Sequence, residues 1–231
     1  MAQKVNTTPK GVFMYPAIEK ATFKYNSETE KEYKVSLLVD EADAEAFNEE
    51  LKEIVHEALE AKRRDLQDEL NKASTTKAKN KIQKAIDNLE PKYPFTENTN
   101  DEDEYTGQFK YNFRNNEVVK RRSDGQTFDM KPSIFDGMGR RITKTLNIGN
   151  GTVGKVGYQA RPYYMEKDGV VGVSLKLSSV QIIKLEQFGA SNPFGEEEGG
   201  YVFSEDDVIQ DGGEETTTEG EHSEESAADL L

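Results

Sequence analysis

The spacing of apolar residues changes period twice along this chain, and that change limits the architectures open to it. Up to residue 39 the pattern belongs to strands. Val12, Phe13, Tyr15, Ile18, Phe23 and Tyr25 fall within Gly11 to Tyr25, with a kink expected at Pro16, which has no N–H to give to a ladder. Residues 32–39 alternate as a second strand after a turn at Asn26-Ser27-Glu28. Asp40 or Asp43 can cap a helix, and Phe47, Leu51, Ile54, Val55, Ala58 and Leu59 then recur at helical spacing, with Leu66 and Leu70 continuing the face. Asn71 to Thr76 breaks it. Ala78, Ile82, Ala85, Ile86 and Leu89 mark a shorter helix that Pro91 and Pro94 end. From Tyr105 the period is two again: Phe109, Tyr111 and Phe113 alternate with Lys110, Asn112 and Arg114. Phe128, Met130 and Ile134-Phe135 suggest one more strand and Ile142 to Ile148 another, while Val153–Tyr164 and Val170–Phe188 form a hairpin around Lys167-Asp168-Gly169. Strands on both sides of a helical hairpin, about residues 41–89, must find one another across it. The prediction is a mainly β small barrel with a helical insertion.

Charge divides the chain further. The formal net charge is −14, and the segment from Glu196 to Leu231 holds 14 acids and no Lys or Arg. The other 195 residues therefore balance, with 30 acids and 30 bases. Within them, residues 40–104 carry 19 acids and 10 bases, whereas residues 105–195 carry 7 acids and 14 bases. The sequence thus predicts a body, 1–195, with a basic later half, and an acidic appendix, 196–231. The appendix is too poor in apolar residues to offset its ordering and is expected to be disordered; Gly200-Tyr201-Val202-Phe203 and Val208-Ile209 are the exceptions, read as a fraying end of the fold in preference to a docking motif. Zero cysteines exclude disulfides and thiolate chemistry, and two histidines, His56 and His222, leave little for a zinc site or a triad. No apolar run approaches the ~18 residues that cross a bilayer, so the chain reads as soluble, with no membrane partner.

Three motifs resemble chemistry that they do not support. Gly149-Asn-Gly-Thr-Val-Gly154-Lys155 fits two phosphate-loop spacings. Such a loop needs a helix directly after it and a hydroxyl for magnesium; here Val156 and an alternating, proline-containing run follow, so a glycine-rich turn between strands is expected. Asp101-Glu102-Asp103-Glu104 are consecutive acids in a polar connector, a solvated loop rather than ligands converging from rigid elements. His56-Glu57 opens like a zinc-protease helix, but position 60 is Glu, and His56 is read as an ordinary helix residue. No catalytic group, metal or cofactor is implied.

What remains is the interleaving of bases and rings. Lys110, Tyr111 and Arg114 form one block, and Lys155, Tyr158, Arg161 and Tyr163 another, with Lys120, Arg121, Arg122, Arg140 and Arg141 in connecting loops. A positive groove that tracks phosphates, with aromatic faces for bases, is how single-stranded nucleic acid is held. Period two cannot place every ring outside, so about half are expected in the core, the tyrosines being better suited to the surface than the phenylalanines.

The order of strands, helical insertion, Phe109-Lys-Tyr-Asn-Phe-Arg114, the Gly149–Tyr158 run, Val173-Ser-Leu-Lys-Leu-Ser-Ser-Val-Gln-Ile-Ile-Lys-Leu185 and an acidic tail resembles the T7-type bacteriophage single-stranded DNA-binding proteins. The match is at motif level over residues 149–188 and one of layout elsewhere. The resemblance implies an OB-fold barrel, sequence-independent binding of single-stranded DNA, a role in phage DNA replication and recombination, and residence in the cytoplasm of an infected bacterial host. It places a DNA-facing aromatic at Tyr158 and, more weakly, at Tyr111. It also implies a tail that competes with DNA and docks a replicative polymerase and a helicase/primase. One departure is that the family tail closes on an aromatic residue, whereas this chain closes on Asp229-Leu230-Leu231.

Rival readings are a non-catalytic interaction scaffold working through the helical hairpin, a magnesium nuclease using Asp101 to Glu104, and a strand-annealing protein. A homodimer is left open.

Overall fold

The computed structural model describes residues 5–121 and 123–188. Arg122 and the acidic segment, with the expectations attached to them, lie outside the described residues. Alternation in the early sequence becomes β1 (Asn6–Thr7), β2 (Gly11–Phe23) and β3 (Lys31–Asp40). β2 and β3 are antiparallel, with Phe13 opposite Leu37, and lose register between Met14 and Ala17. That slip surrounds Pro16, the kink expected from its missing N–H, and Tyr15 beside it has φ of +50°.

Two helices follow, α1 (Glu41–Lys72) and α2 (Thr76–Asp87). Asp40 occupies the N-cap of α1 but makes no side-chain cap bond; its carboxylate accepts instead from Gln108. Thr75 caps α2 by accepting the Ala78 N–H at 3.2 Å. At 1.5 Å per residue α1 is about 48 Å long, and its apolar face serves two cores. Ala44, Phe47, Leu51 and Val55 join the barrel interior. Leu59 and Leu66 pack with Leu89, Val171, Ile82, Ile86 and Tyr164 in a separate cluster that fastens α2 to the body.

The remaining strands are β4 (Glu90–Lys92), β5 (Phe95–Thr99), β6 (Tyr105–Asn116), β7 (Val118–Lys120), β8 (Thr127–Asp129), β9 (Ser133–Phe135), β10 (Arg141–Ile142), β11 (Val153–Met165) and β12 (Val170–Lys184). β3 pairs with β6 along its length, β6 runs parallel to β12 at Phe113–Arg114, β12 pairs with β11, and β11 returns to β2 at Val153–Gly154. Numbering β2, β3, β6, β11 and β12 from one to five gives the closed order 1-2-3-5-4-1, a five-stranded OB-fold barrel. The α-helical insertion lies between the second and third of these strands. β7 and β8 form a separate two-stranded ribbon.

Three features differ from the sequence reading. The strand expected over Ile142–Ile148 is reduced to β10. The Glu19 carboxylate accepts the backbone N–H groups of Leu146 and Ile148, at 2.5 and 2.9 Å, so a side chain takes the place of a neighbouring strand. Asn147 between them is at φ +53°, which ends extended structure. The Phe128–Phe135 stretch divides into β8 and β9. Finally, β4 and β5 form where the sequence pattern shows only connector: β4 contains Pro91 and is a parallel edge on Val170–Gly172, a position proline tolerates. The Gly149–Gly154 run is a turn entering β11, and Asp101–Glu104 is an exposed turn whose N–H groups at Glu102 and Glu104 bond to Asn100.

Candidate nucleic-acid interface

β6 divides its residues by the pleat. Tyr111, Phe113 and Asn115 point inward and are buried, while Asn112, Arg114 and Asn116 point outward and are exposed. Lys110 shares the outward face, half-buried. Cross-strand pairing extends that face sideways: Lys34 of β3 lies opposite Arg114 and Ser36 opposite Asn112. On the other flank Lys176 of β12 is level with Arg114, and Arg161 of β11 is opposite Ser174.

β5 covers the first part of β6 and β12 the end of it, and a trough of about 660 Å³ lies where they part. Its wall carries Lys92, Lys110, Arg114, Arg161 and Lys176 and, among the described residues, no acidic one. Tyr93, Phe95 and Tyr163 supply rings. Tyr163 lies across Gly172, where a Cβ would come within 2.5 Å of its hydroxyl; a side chain there would push the ring away. Burial, and after it the charge of Arg161, lowers the Lys176 ammonium below the usual lysine value. Cations so placed repel one another, and an anion seated among them relieves that repulsion.

Of the residues expected at such a site, the trough gathers Lys110, Arg114, Arg161 and Tyr163. Lys120 and Arg121 belong to the adjoining β7–β8 ribbon, whose Val119 reaches the trough. The Arg121 guanidinium lies 4.5 Å from the Phe128 ring centre and pairs with Asp124 at 2.9 Å. The other described cations are elsewhere. Lys155 lines a different cleft with Phe135 and Gly139, and Arg141 another with Lys131 and Lys144. Arg140 is bound to Asp136 at 2.7 Å.

Tyr111 and Tyr158 require correction, since both are fully buried. Tyr111 packs on Phe47 at 4.9 Å and donates to Asn48 Oδ1 at 2.6 Å. Tyr158 lies 5.6 Å from Phe113 and 5.9 Å from Phe47. Burial raises both phenols well above the usual tyrosine range, helped at Tyr158 by the charge of Glu50. Neither ring offers a face to a base. The cause is closure of the barrel, which turns the alternating aromatics of β6 and β11 toward Phe47 of α1.

Sequence reasoning missed Lys92, Tyr93, Phe95 and Lys176. Lys176 was legible, because it alternates with buried Leu175 and Leu177. The other three sit around Pro91 and Pro94, in a stretch whose pattern marks only the end of a helix. Tyr93 and Phe95 stack at 5.7 Å with 20° between planes. Phe95 then meets Phe109 edge-on at 5.9 Å, and Phe109 meets Tyr105 at 6.0 Å. At the other end the Tyr93 hydroxyl and His56 Nε2 are hydrogen-bonded at 3.2 Å, so His56 is more than an ordinary helix residue.

Comparison with known proteins gives three findings. The family model described as single-stranded DNA-binding protein, bacteriophage T7, matches residues 11–185. The crystal structure of gp2.5, a single-stranded DNA-binding protein encoded by bacteriophage T7, is similar at 23% identity and a TM-score of 0.60, over 88% of this chain and 100% of that one. The single-stranded DNA-binding protein from bacteriophage Enc34, in complex with single-stranded DNA, aligns at 14% identity and a TM-score of 0.47, over 79% of this chain and 88% of that one. No curated protein matches the chain.

Proposed function

Because the chain belongs to the bacteriophage T7 single-stranded DNA-binding protein family, we propose that its body, residues 1–195, holds single-stranded DNA in the trough beside β6, without sequence preference and without turnover. The observation that carries this reading is a wall of five cations and three rings with no acid among its described residues. Lys92, Lys110, Arg114, Arg161 and Lys176 neutralise phosphates, and the counterions they displace supply the driving force. Tyr163 offers a ring edge or face to a base, and stacking of that kind tolerates any base. Lys120 and Arg121 extend the positive wall from the β7–β8 ribbon.

The segment 196–231 acts as a tethered competitor. Its 14 acids are the whole net charge of the chain and are opposite in sign to the five cations that line the trough. Displaced by DNA, it becomes available to a replicative polymerase or helicase/primase. The setting is phage DNA replication and recombination in the cytoplasm of an infected bacterium.

The test is a salt series with single- and double-stranded oligonucleotides, run on the full chain and on a chain ending at Gly195. Single strands should bind more tightly, with a log–log slope of about −0.7 per phosphate neutralised. The shortened chain should bind more tightly still at low salt. Equal affinity for both DNA forms overturns the reading of the trough; unchanged affinity on truncation overturns only the competition.

A further inference from the structure

Tyr93 is held on two sides. One ring face is stacked on Phe95. Its hydroxyl is bonded to His56, whose imidazole also meets the ring edge-on at 6.0 Å. Pro94 follows directly and restricts the backbone at Tyr93 to extended conformations. What remains of the ring lines the trough, whose wall also carries Lys92 and Lys110. An exposed tyrosine ordinarily samples several rotamers, and ordering it on binding costs free energy. This one is already ordered before any ligand arrives.

His56 comes from the middle of α1, among Glu53, Glu57, Glu60 and Arg64. The helical insertion therefore reaches the trough through this hydrogen bond. The Tyr93–Phe95–Phe109–Tyr105 series continues beneath, with Tyr93, Phe95 and Phe109 partly buried against the barrel, so the platform rests on the core instead of on a mobile loop.

Resting on the reading above, we propose that Tyr93 is a base-stacking platform of the trough and that His56 is the residue that positions it. A nucleobase stacks on the open face of Tyr93 while Lys92 and Lys110 hold the flanking phosphates. The long first helix thereby contributes to DNA binding without touching DNA.

The chain contains no tryptophan, so Tyr93→Trp installs a lone reporter. Its emission should be quenched by saturating oligothymidylate, with affinity within about threefold of the native chain, since indole stacks at least as well. Tyr93→Ala should weaken binding about tenfold or more, the loss of one stacked base. Tyr93→Phe and His56→Ala should each weaken it about threefold, the double variant no further than either single, because both remove one bond. His56→Gln, whose amide can either donate or accept at that reach, should restore affinity. Thermal unfolding of each variant separates binding from folding, and the Phe and Trp variants stand if the Ala variant fails to fold. Unquenched indole on a DNA-saturated protein overturns the platform. Additive losses for Tyr93→Phe and His56→Ala overturn the positioning role. A native chain that binds no single strand defeats the parent reading instead; a native chain that binds, and loses binding on Arg114→Glu but not on Tyr93→Ala, defeats only this inference.

Discussion

Two groups of rings, drawn from different stretches of the chain, meet opposite fates. Tyr111, Phe113 and Tyr158 belong to the strands richest in alternating bases and aromatics, and all three are buried with Phe47 in the barrel. Tyr93 and Phe95 come from a proline-bounded connection with little strand pattern, yet they line the cationic trough with Tyr163. The pleat explains the first group. A strand that alternates cation and ring must put one set inside, and a barrel this small needs the rings for its core. Bases and aromatics interleaved along one strand therefore mark a cationic outer face and an aromatic inner one. Most of the rings that accompany the cations in space come from other elements.

Three measurements break or sharpen this contrast. The largest effect is expected at Tyr158→Ala, which removes a fully buried ring between Phe47 and Phe113. It should cost about 3–5 kcal/mol in denaturant unfolding while leaving the DNA affinity of the folded fraction within about twofold, since the ring is walled off from any ligand. A stable variant with lost affinity would return Tyr158 to the binding face.

The converse is expected for Arg114→Glu combined with Lys176→Glu. Affinity for single strands should fall by about tenfold or more at ~0.1 M salt, and the salt slope should become shallower by about 0.7 for each phosphate no longer neutralised. The unfolding midpoint should hardly move. A large loss of stability with unchanged affinity would place these cations in the framework.

The smallest effect concerns Arg140, a cation that carries its own acid. The Asp136 carboxylate accepts the Arg140 N–H at 2.8 Å, its guanidinium at 2.7 Å and the Met138 N–H at 2.9 Å. The Arg140 backbone bond first, and then its side chain, holds the carboxyl below the usual aspartate range. A carboxyl whose folded value is depressed stabilises the fold above its unfolded value, near about 3.9, and loses that contribution as pH falls through the folded value. Asp136→Asn should therefore lower the unfolding midpoint slightly at neutral pH, and the difference should begin to shrink below about pH 4 and close once the pH is below the depressed folded value. DNA affinity should stay unchanged, since this turn lies outside the trough.

Much of the barrel was legible because local chemistry agreed with it. Pro16 kinks β2, the break expected over Asn71–Thr76 separates α1 from α2, and the run after Gly154 is a strand, so no phosphate loop forms. The fate of the Ile142–Ile148 stretch was not legible, because its backbone is satisfied by Glu19, more than a hundred residues earlier in the chain. Lys110, Arg114, Arg161 and Tyr163 were legible as trough residues from their alternation. Lys155, Arg140 and Arg141 look equivalent in sequence and are not, because the clustering of charges depends on which strands are neighbours.

The sequence by itself determined the kinds of elements and their order, the place of the helical insertion and the separation of charge between body and appendix, all of which depend on residue spacing and composition. Only the tertiary structure decided which face of each strand is core, which cations share a wall, and that a tyrosine from a connector stands among them. Periodicity assigns side chains to one face or the other. Which face closes inward is settled by pairings between residues far apart in the chain, and by the helix that fills the space they enclose.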